Sequence, residues 1–181
     1  MTAWQSLLEE LVRERRPMLI GYAALLTGSR DEAEDLVHDA IVRTFGRPRA
    51  FPNVNAADAY VRRAIASTFI DRVRSNRRWR VAMPRLVAGA AVPEDVAARL
   101  DVRAALLTLP RRERTCVVMR FYDDLTVADI AAGLGLSDGA VKRYLSDGIH
   151  HLNAVLGTAT DPDVEDTPVA VMHVTREGPG R

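Results

Sequence analysis

The sequence predicts an all-α protein built as two small helical domains joined by a flexible linker, and three observations carry that prediction. Apolar residues recur at helical spacing through most of the 181 residues. No run alternates apolar and polar side chains as a half-buried strand would. Turn-forming residues are gathered at a few places, where they cut the chain into units. A hydrophobic content of 48% suits one sizeable core or two small ones and excludes collagenous, disulfide-rich and disordered classes.

An opening helix is expected over Thr2 to Leu26, ending at Thr27-Gly28-Ser29, where Gly28 suits a helix terminus and Ser29 can cap the next helix. That next helix, Asp31 to Phe45, sets Ala33, Leu36, Val37, Ala40, Ile41 and Phe45 on one stripe and leaves an acidic face elsewhere. Residues 46–57 hold Gly46, Pro48, Pro52, Asn53 and Asn55 and read as an irregular loop. A third helix over Ala57 to Arg78 is expected to turn Tyr60, Ala64, Phe69 or Ile70, and Val73 to the core, with arginines outside. The pattern weakens between Val81 and Ala97, around Pro84, Gly89 and Pro93, which marks a linker. Helices follow over Val96 to Leu109, from Pro110 onward, and as a short pair between 126 and 156. Residues 158–181, acidic and poor in large apolar side chains, read as a disordered tail.

The formal net charge of +1 conceals a strong asymmetry: residues 46–85 carry 10 basic and 2 acidic side chains. A local basic segment in a near-neutral protein points to a polyanion, because each phosphate contact needs a cation to displace condensed counterions. Arg62, Arg63, Arg72, Arg74, Arg77, Arg78 and Arg80 lie there with Asn76 and Trp79. Guanidinium groups pair with phosphate bidentately, Trp79 offers a stacking face, and Asn76 can bond a base edge.

The sharpest local pattern is Thr126-Val-Ala-Asp-Ile-Ala-Ala-Gly-Leu-Gly-Leu-Ser-Asp-Gly-Ala-Val-Lys-Arg-Tyr-Leu145, which has helix-turn-helix spacing. Thr126 and Asp129 make a capping box, Ala131 is small where two helices cross, Gly135 tolerates positive φ, and Ser137 caps the second helix. Val141 and Leu145 bury that helix, leaving Gly139, Lys142, Arg143 and Ser146 outward, where a recognition helix meets the major groove. Arg111, Arg112 and Arg114, at the start of the preceding helix, are candidate phosphate anchors.

Other function classes fare worse. The apolar stretch Met18 to Leu26 is too short to span a bilayer, and Glu9, Glu10 and Glu14 break any signal-peptide pattern, so a cytoplasmic protein without membrane insertion is expected. Cys116, the single cysteine, reads as a small core side chain. Gly133-Leu-Gly135 is no phosphate loop, and no nucleophile–base pair stands out. His38, His150, His151 and His173 lack metal-ligand spacing, so no enzyme activity, metal or cofactor is expected. The rival reading is a stand-alone helix-turn-helix regulator with an N-terminal sensing or oligomerisation domain, which would bind duplex DNA tightly by itself.

Two segments together resemble one family. Leu25-Leu-Thr-Gly-Ser-Arg-Asp-Glu-Ala-Glu-Asp-Leu-Val-His-Asp-Ala-Ile-Val-Arg-Thr-Phe45, with Ala59-Tyr-Val-Arg-Arg-Ala-Ile and Asp71-Arg-Val-Arg, is similar to the sigma-2 domain of extracytoplasmic-function sigma factors, group 4 of the sigma-70 family. Leu106-Leu-Thr-Leu-Pro-Arg-Arg-Glu-Arg-Thr-Cys-Val-Val-Met-Arg-Phe-Tyr-Asp-Asp-Leu-Thr-Val-Ala-Asp-Ile-Ala resembles the sigma-4 domain, especially its actinobacterial versions. The resemblance implies a sigma-2-like domain over 1–80, a linker over 81–97, a sigma-4-like domain over 98–157 and an additional tail. It implies core RNA polymerase and promoter DNA as partners, with an anti-sigma factor as a further candidate. Asp35, His38, Asp39 and Val42 would meet the polymerase. Asn53 and Asn55 in the loop, then Arg62, Arg63, Arg72, Arg74, Asn76, Arg77, Arg78 and Trp79, would hold the −10 element, where a flipped base demands a pocket and a cationic track. Arg111, Arg112, Arg114, Ser137, Gly139, Lys142, Arg143 and Ser146 would serve the −35 element.

Overall fold

The structure, a computed structural model, describes residues 3–46, 50–76 and 102–157. The described residues form seven helical segments and no strand. They are α1 (Ala3–Thr27), α2 (Arg30–Phe45), α3 (Val54–Asn76), α4 (102–108), α5 (Arg111–Phe121), α6 (Val127–Leu134) and α7 (Asp138–Leu156). The expected linker and tail, and the start of the helix expected from Val96, lie outside the described residues.

Helices α1, α2 and α3 pack on one another through apolar positions three and four residues apart. Leu11, Leu19, Tyr22 and Leu26 come from α1, Ala33, Leu36, Val37 and Ala40 from α2, and Ala57, Val61, Ile65 and Phe69 from α3. Pro17 sits inside α1 with exposed neighbours, away from that core. The α1–α2 break is made by Gly28, whose φ of +79° is a left-handed conformation that costs glycine nothing. Ser29 then caps α2, its hydroxyl accepting from the Glu32 amide, and Asp31 and Glu32 in the first turn complement the helix dipole.

Helix α3 departs from expectation in two ways. It starts at Val54, three residues early, because the Asn53 side chain caps it by accepting from the Ala56 amide at 2.9 Å. The irregular stretch is therefore shorter than 46–57. Its buried stripe is also rotated: Val61, Ile65 and Ala66 are fully buried while Tyr60 and Ala64 are half-buried, because the helix meets α1 and α2 along the row containing its β-branched residues.

In the second half, α5 lies at the centre, with Cys116, Val117, Val118 and Met119 all buried. Ile130 and Ala131 of α6 and Val141 and Leu145 of α7 complete that core. Helix α7, at 19 residues, is longer than the short element expected. It crosses α5 closely at Gly148, where an added Cβ would stand 2.9 Å from a Val117 methyl. Both halves share one continuous cluster of buried residues, with α5 meeting α1 and α3 and with α6 meeting α3.

Removing the Ile65 side chain beyond Cβ should leave a cavity among three helices: Ile65→Ala is expected to lower unfolding free energy in urea by about 2–5 kcal/mol. Val42→Ala, on an exposed α2 position, should stay within about 0.5 kcal/mol.

Candidate nucleic-acid interface

The α6–α7 pair has the local geometry a recognition helix needs. Thr126 caps α6 through a complete capping box: its hydroxyl accepts from the Asp129 amide, and the Asp129 carboxylate accepts from the Thr126 amide. The Thr126 hydroxyl and amide hold the Asp129 carboxyl below its ordinary range. Gly135 turns the chain at φ +63°, and the Leu136 amide returns to the Ala131 carbonyl at 2.9 Å. Ser137 caps α7 by accepting from Ala140 at 3.2 Å, so its hydroxyl is occupied with the backbone. Val141, Leu145 and Gly148 face inward, and Gly139, Lys142, Arg143 and Ser146 are exposed on the opposite face. Positions i, i+3, i+4 and i+7 thus form one presented stripe. Tyr144 stiffens its flank: Arg143 lies 5.3 Å from its ring centre, and Arg112 donates to its hydroxyl at 2.9 Å. The Arg112 hydrogen bond is the main reason the Tyr144 hydroxyl falls below its ordinary pKa.

The three arginines opening α5 have different surroundings. Arg112 is half-buried against Tyr144, and the Arg111 guanidinium lies 5.2 Å from the Phe69 ring of α3. Arg114 departs from the expected phosphate anchor: it is 5% exposed and donates to the carbonyls of Leu26 at 2.6 Å, Leu107 at 2.8 Å and Leu109 at 2.9 Å. Those acceptors are buried backbone groups that need donors, so they claim the guanidinium. Cys116, one turn from Arg112, is fully buried, and burial pushes its thiol up to about 11, as befits an unreactive core side chain.

On α2, Asp35, His38, Asp39 and Val42 all lie exposed on one face, Val42 at 55%. Val42 is thus an exposed apolar side chain on the same face as the Asp35 and Asp39 carboxyl groups. Arg72 of α3 pairs with the Asp39 carboxylate and donates to the Asp35 carbonyl, tying that face to the arginine helix. Asn53 is engaged as the α3 cap, and the Asn55 side chain accepts from Arg15 at 2.9 Å. Arg63 is exposed. Arg74 and Asn76 belong to the last turns of α3, whereas Arg77, Arg78 and Trp79 lie outside the described residues.

Arg62 also departs from expectation as an open −10 contact. It is a half-buried hub between the two halves, paired with Asp58 at 2.7 Å along α3 and with Asp123 at 3.2 Å in the loop after α5. The rings of Tyr22 and Tyr122 lie together on one side of it, their centres 6.0 and 5.6 Å from the guanidinium carbon and 5.5 Å from each other. Burial opposes the Arg62 charge, but Asp58 and Asp123 outweigh it and raise its pKa. Burial pushes the Asp123 carboxyl up, only partly offset by its hydrogen-bonding neighbours and the Arg62 charge. Burial, then the adjacent Asp123 charge, raises the Tyr22 hydroxyl well above its ordinary value. Sequence reasoning had no role for Tyr22, Asp58, Tyr122 or Asp123. The available signal was Asp58 four residues before Arg62, a helical ion-pair spacing.

Comparison with known proteins places these features. Residues 11–79 match the model for sigma-70 region 2 and residues 99–152 the model for sigma-70 region 4. An RNA polymerase sigma-E factor of Streptomyces avermitilis is 32% identical, over 82% of this chain and 84% of that protein. The ECF RNA polymerase sigma factor SigL of Mycobacterium tuberculosis is 28% identical over 83% of this chain and 89% of its own length. Among solved structures, the sigma factor RpoE of Bartonella quintana, crystallised with the anti-sigma factor NepR, has a similar fold. The TM-score is 0.60 at 20% identity, and the match covers 84% of this chain and 98% of that one.

The contrast between buried and presented cations is measurable. Arg114→Met should strip three carbonyls of a charged donor and cost about 3 kcal/mol or more in urea unfolding. Lys142→Ala should change stability by no more than about 0.5 kcal/mol.

Proposed function

The chain belongs to the extracytoplasmic-function sigma factors of the sigma-70 family, and from that membership we propose how its surfaces divide the work of initiation. As a sigma factor it binds core RNA polymerase and directs promoter recognition and opening. The observation that carries the division is an ordering along one chain. An acid-and-valine face on α2 comes first, the arginine-bearing helix α3 next, and a doubly capped helix-turn-helix with an exposed Lys142-Arg143 stripe last.

In the proposed arrangement Asp35, His38, Asp39 and Val42 dock on the polymerase. Charge complementarity there steers encounter and fixes register, while Val42 supplies apolar contact. Helix α3 and the residues that follow it in the sequence track the opened strand. Arg63, Arg74, Arg77 and Arg78 neutralise phosphates, and Asn76 and Trp79 meet bases through hydrogen bonding and stacking. Helix α7 enters the major groove, where Lys142 and Arg143 reach guanine edges or adjacent phosphates and Gly139 allows close backbone approach. Arg112 orients Tyr144, and through it the recognition stripe. Bond making stays with the polymerase, so the chain itself is proposed to be non-enzymatic and to act in the cytoplasm. Among the described residues no helix is long and apolar enough to cross a membrane. An anti-sigma protein is a further proposed partner, supported by the Bartonella quintana sigma factor of like fold having been crystallised with one.

Tagged protein should co-purify with bacterial core polymerase, and Asp35→Lys with Asp39→Lys should abolish that association while leaving the helical spectrum unchanged. Tight duplex binding without polymerase association would instead support a stand-alone regulator. Within the holoenzyme, Arg143→Ala should relax discrimination at one base position by about 1–3 kcal/mol, read as relative affinity across a promoter library. A cation contacting only phosphate should instead weaken all sequences alike and lower the salt slope by about 1.

A further inference from the structure

We propose that Tyr144 is a positioning residue for −35 recognition: its ring holds the Arg143 guanidinium away from Asp147 and presents it, still unpaired, to a base edge, a role that rests on the sigma-factor reading of α7 as the recognition helix. Arg143 and Asp147 are both exposed on α7 and stand four residues apart, the spacing at which opposite charges on a helix pair. The same spacing and order on α2 gives an ion pair, with Arg30 and Glu34 meeting at 3.1 Å. On α7 it does not: among the described residues neither Arg143 nor Asp147 takes part in an ion pair. The Arg143 guanidinium carbon lies instead 5.3 Å from the centre of the Tyr144 ring.

Neighbouring residues on a helix point about 100° apart, so a ring at 144 does not by itself cover an arginine at 143, and the contact depends on where the ring is held. Arg112 of α5 holds it. Half-buried, it donates to the Tyr144 hydroxyl at 2.9 Å, and its guanidinium carbon lies 5.8 Å from the same ring centre. The hydrogen bond from Arg112, followed by that from Arg143, keeps the hydroxyl below its ordinary range, as expected of an oxygen between two cations. The two alternatives open to Arg143 differ in what they leave for DNA. Paired with Asp147, its charge would be cancelled and its fork of donors occupied. Over the ring it keeps its charge and the N–H edge that bonds guanine O6 and N7. At an exposed site a cation–π contact outweighs one helical ion pair with the cation first, so the ring prevails over Asp147. An arginine held beforehand also has fewer rotamers to lose when it meets a base.

The test uses the full chain assembled with core polymerase and reads relative affinity across a library of promoters substituted in the −35 element. Arg143→Ala locates the base position that Arg143 reads. At that position Tyr144→Ala should lower the preference for the favoured base by about fivefold, and Tyr144→Phe, which keeps the ring but loses the Arg112 hydrogen bond, by about twofold. Adding Asp147→Ala to either Tyr144 variant should restore about half of the lost preference, because the competing acceptor is gone, whereas Asp147→Ala alone should leave the preference unchanged. A side chain that merely stabilised the fold would show no such rescue. Tyr144 variants that keep their helical spectrum but weaken every sequence alike, or whose lost preference Asp147→Ala does not restore, overturn the assignment. So does an Arg143→Ala protein with wild-type base preference. Tyr144→Phe decides the matter if Tyr144→Ala does not fold. Failure of the wild type to associate with polymerase sinks the sigma-factor reading instead, and the same library offered as bare duplex to the full chain then decides the role of Tyr144.

Discussion

The buried Arg114 side chain ties three segments of the chain together. Its guanidinium gathers carbonyls from α1, from α4 and from the turn before α5, so three chain segments meet at one charge. Backbone carbonyls at helix ends have no intrahelical donor, and burying them requires one from elsewhere. A single arginine satisfies two helix ends at once, fixes where α5 begins, and thereby sets the position of α7, which packs along α5 through Gly148. The exposed stripe of α7 is therefore positioned through a buried cation, Arg114.

Around that anchor the charged residues fall into two populations with different physics. Lys142, Arg143 and Asp35 are exposed, where charges add little to stability. Arg62, Asp58 and Asp123 are desolvated, so each depends on the others to remain tolerable where it is. Asp39 and Arg72 lie between these extremes, an exposed pair linking the acid-and-valine face of α2 to the arginine helix. Through that pair, a partner that engages Asp39 also changes the surroundings of Arg72. In the proposed function recognition falls to the solvated charges, whereas buried ones join the two halves.

Much of the architecture was legible because it is local. The capping box of Thr126 and Asp129, the left-handed Gly135, the Ser137 cap and the inward Val141 and Leu145 all follow from rules acting within one or two helical turns. The α2 stripe was readable for the same reason. Helix α3 was harder. Asn53 looked like a loop residue but serves as a cap, and α3 carries apolar residues on more than one side, so periodicity alone could not choose between the Val61–Ile65 row and the Tyr60–Ala64 row.

The sequence by itself determined the helical class, the two-segment order, the outward stripe of α7 and the exposed acid-and-valine face of α2, since hydrophobic period and capping chemistry operate over a few residues. Which arginines are presented and which are enclosed was decided only by the tertiary structure. Arg62 meets Asp123 across 61 residues and Arg114 meets Leu26 across 88, and no local rule reaches that far. Arginine serves equally well as a phosphate contact and as a buried hydrogen-bond donor, and its surroundings in the folded chain select the role.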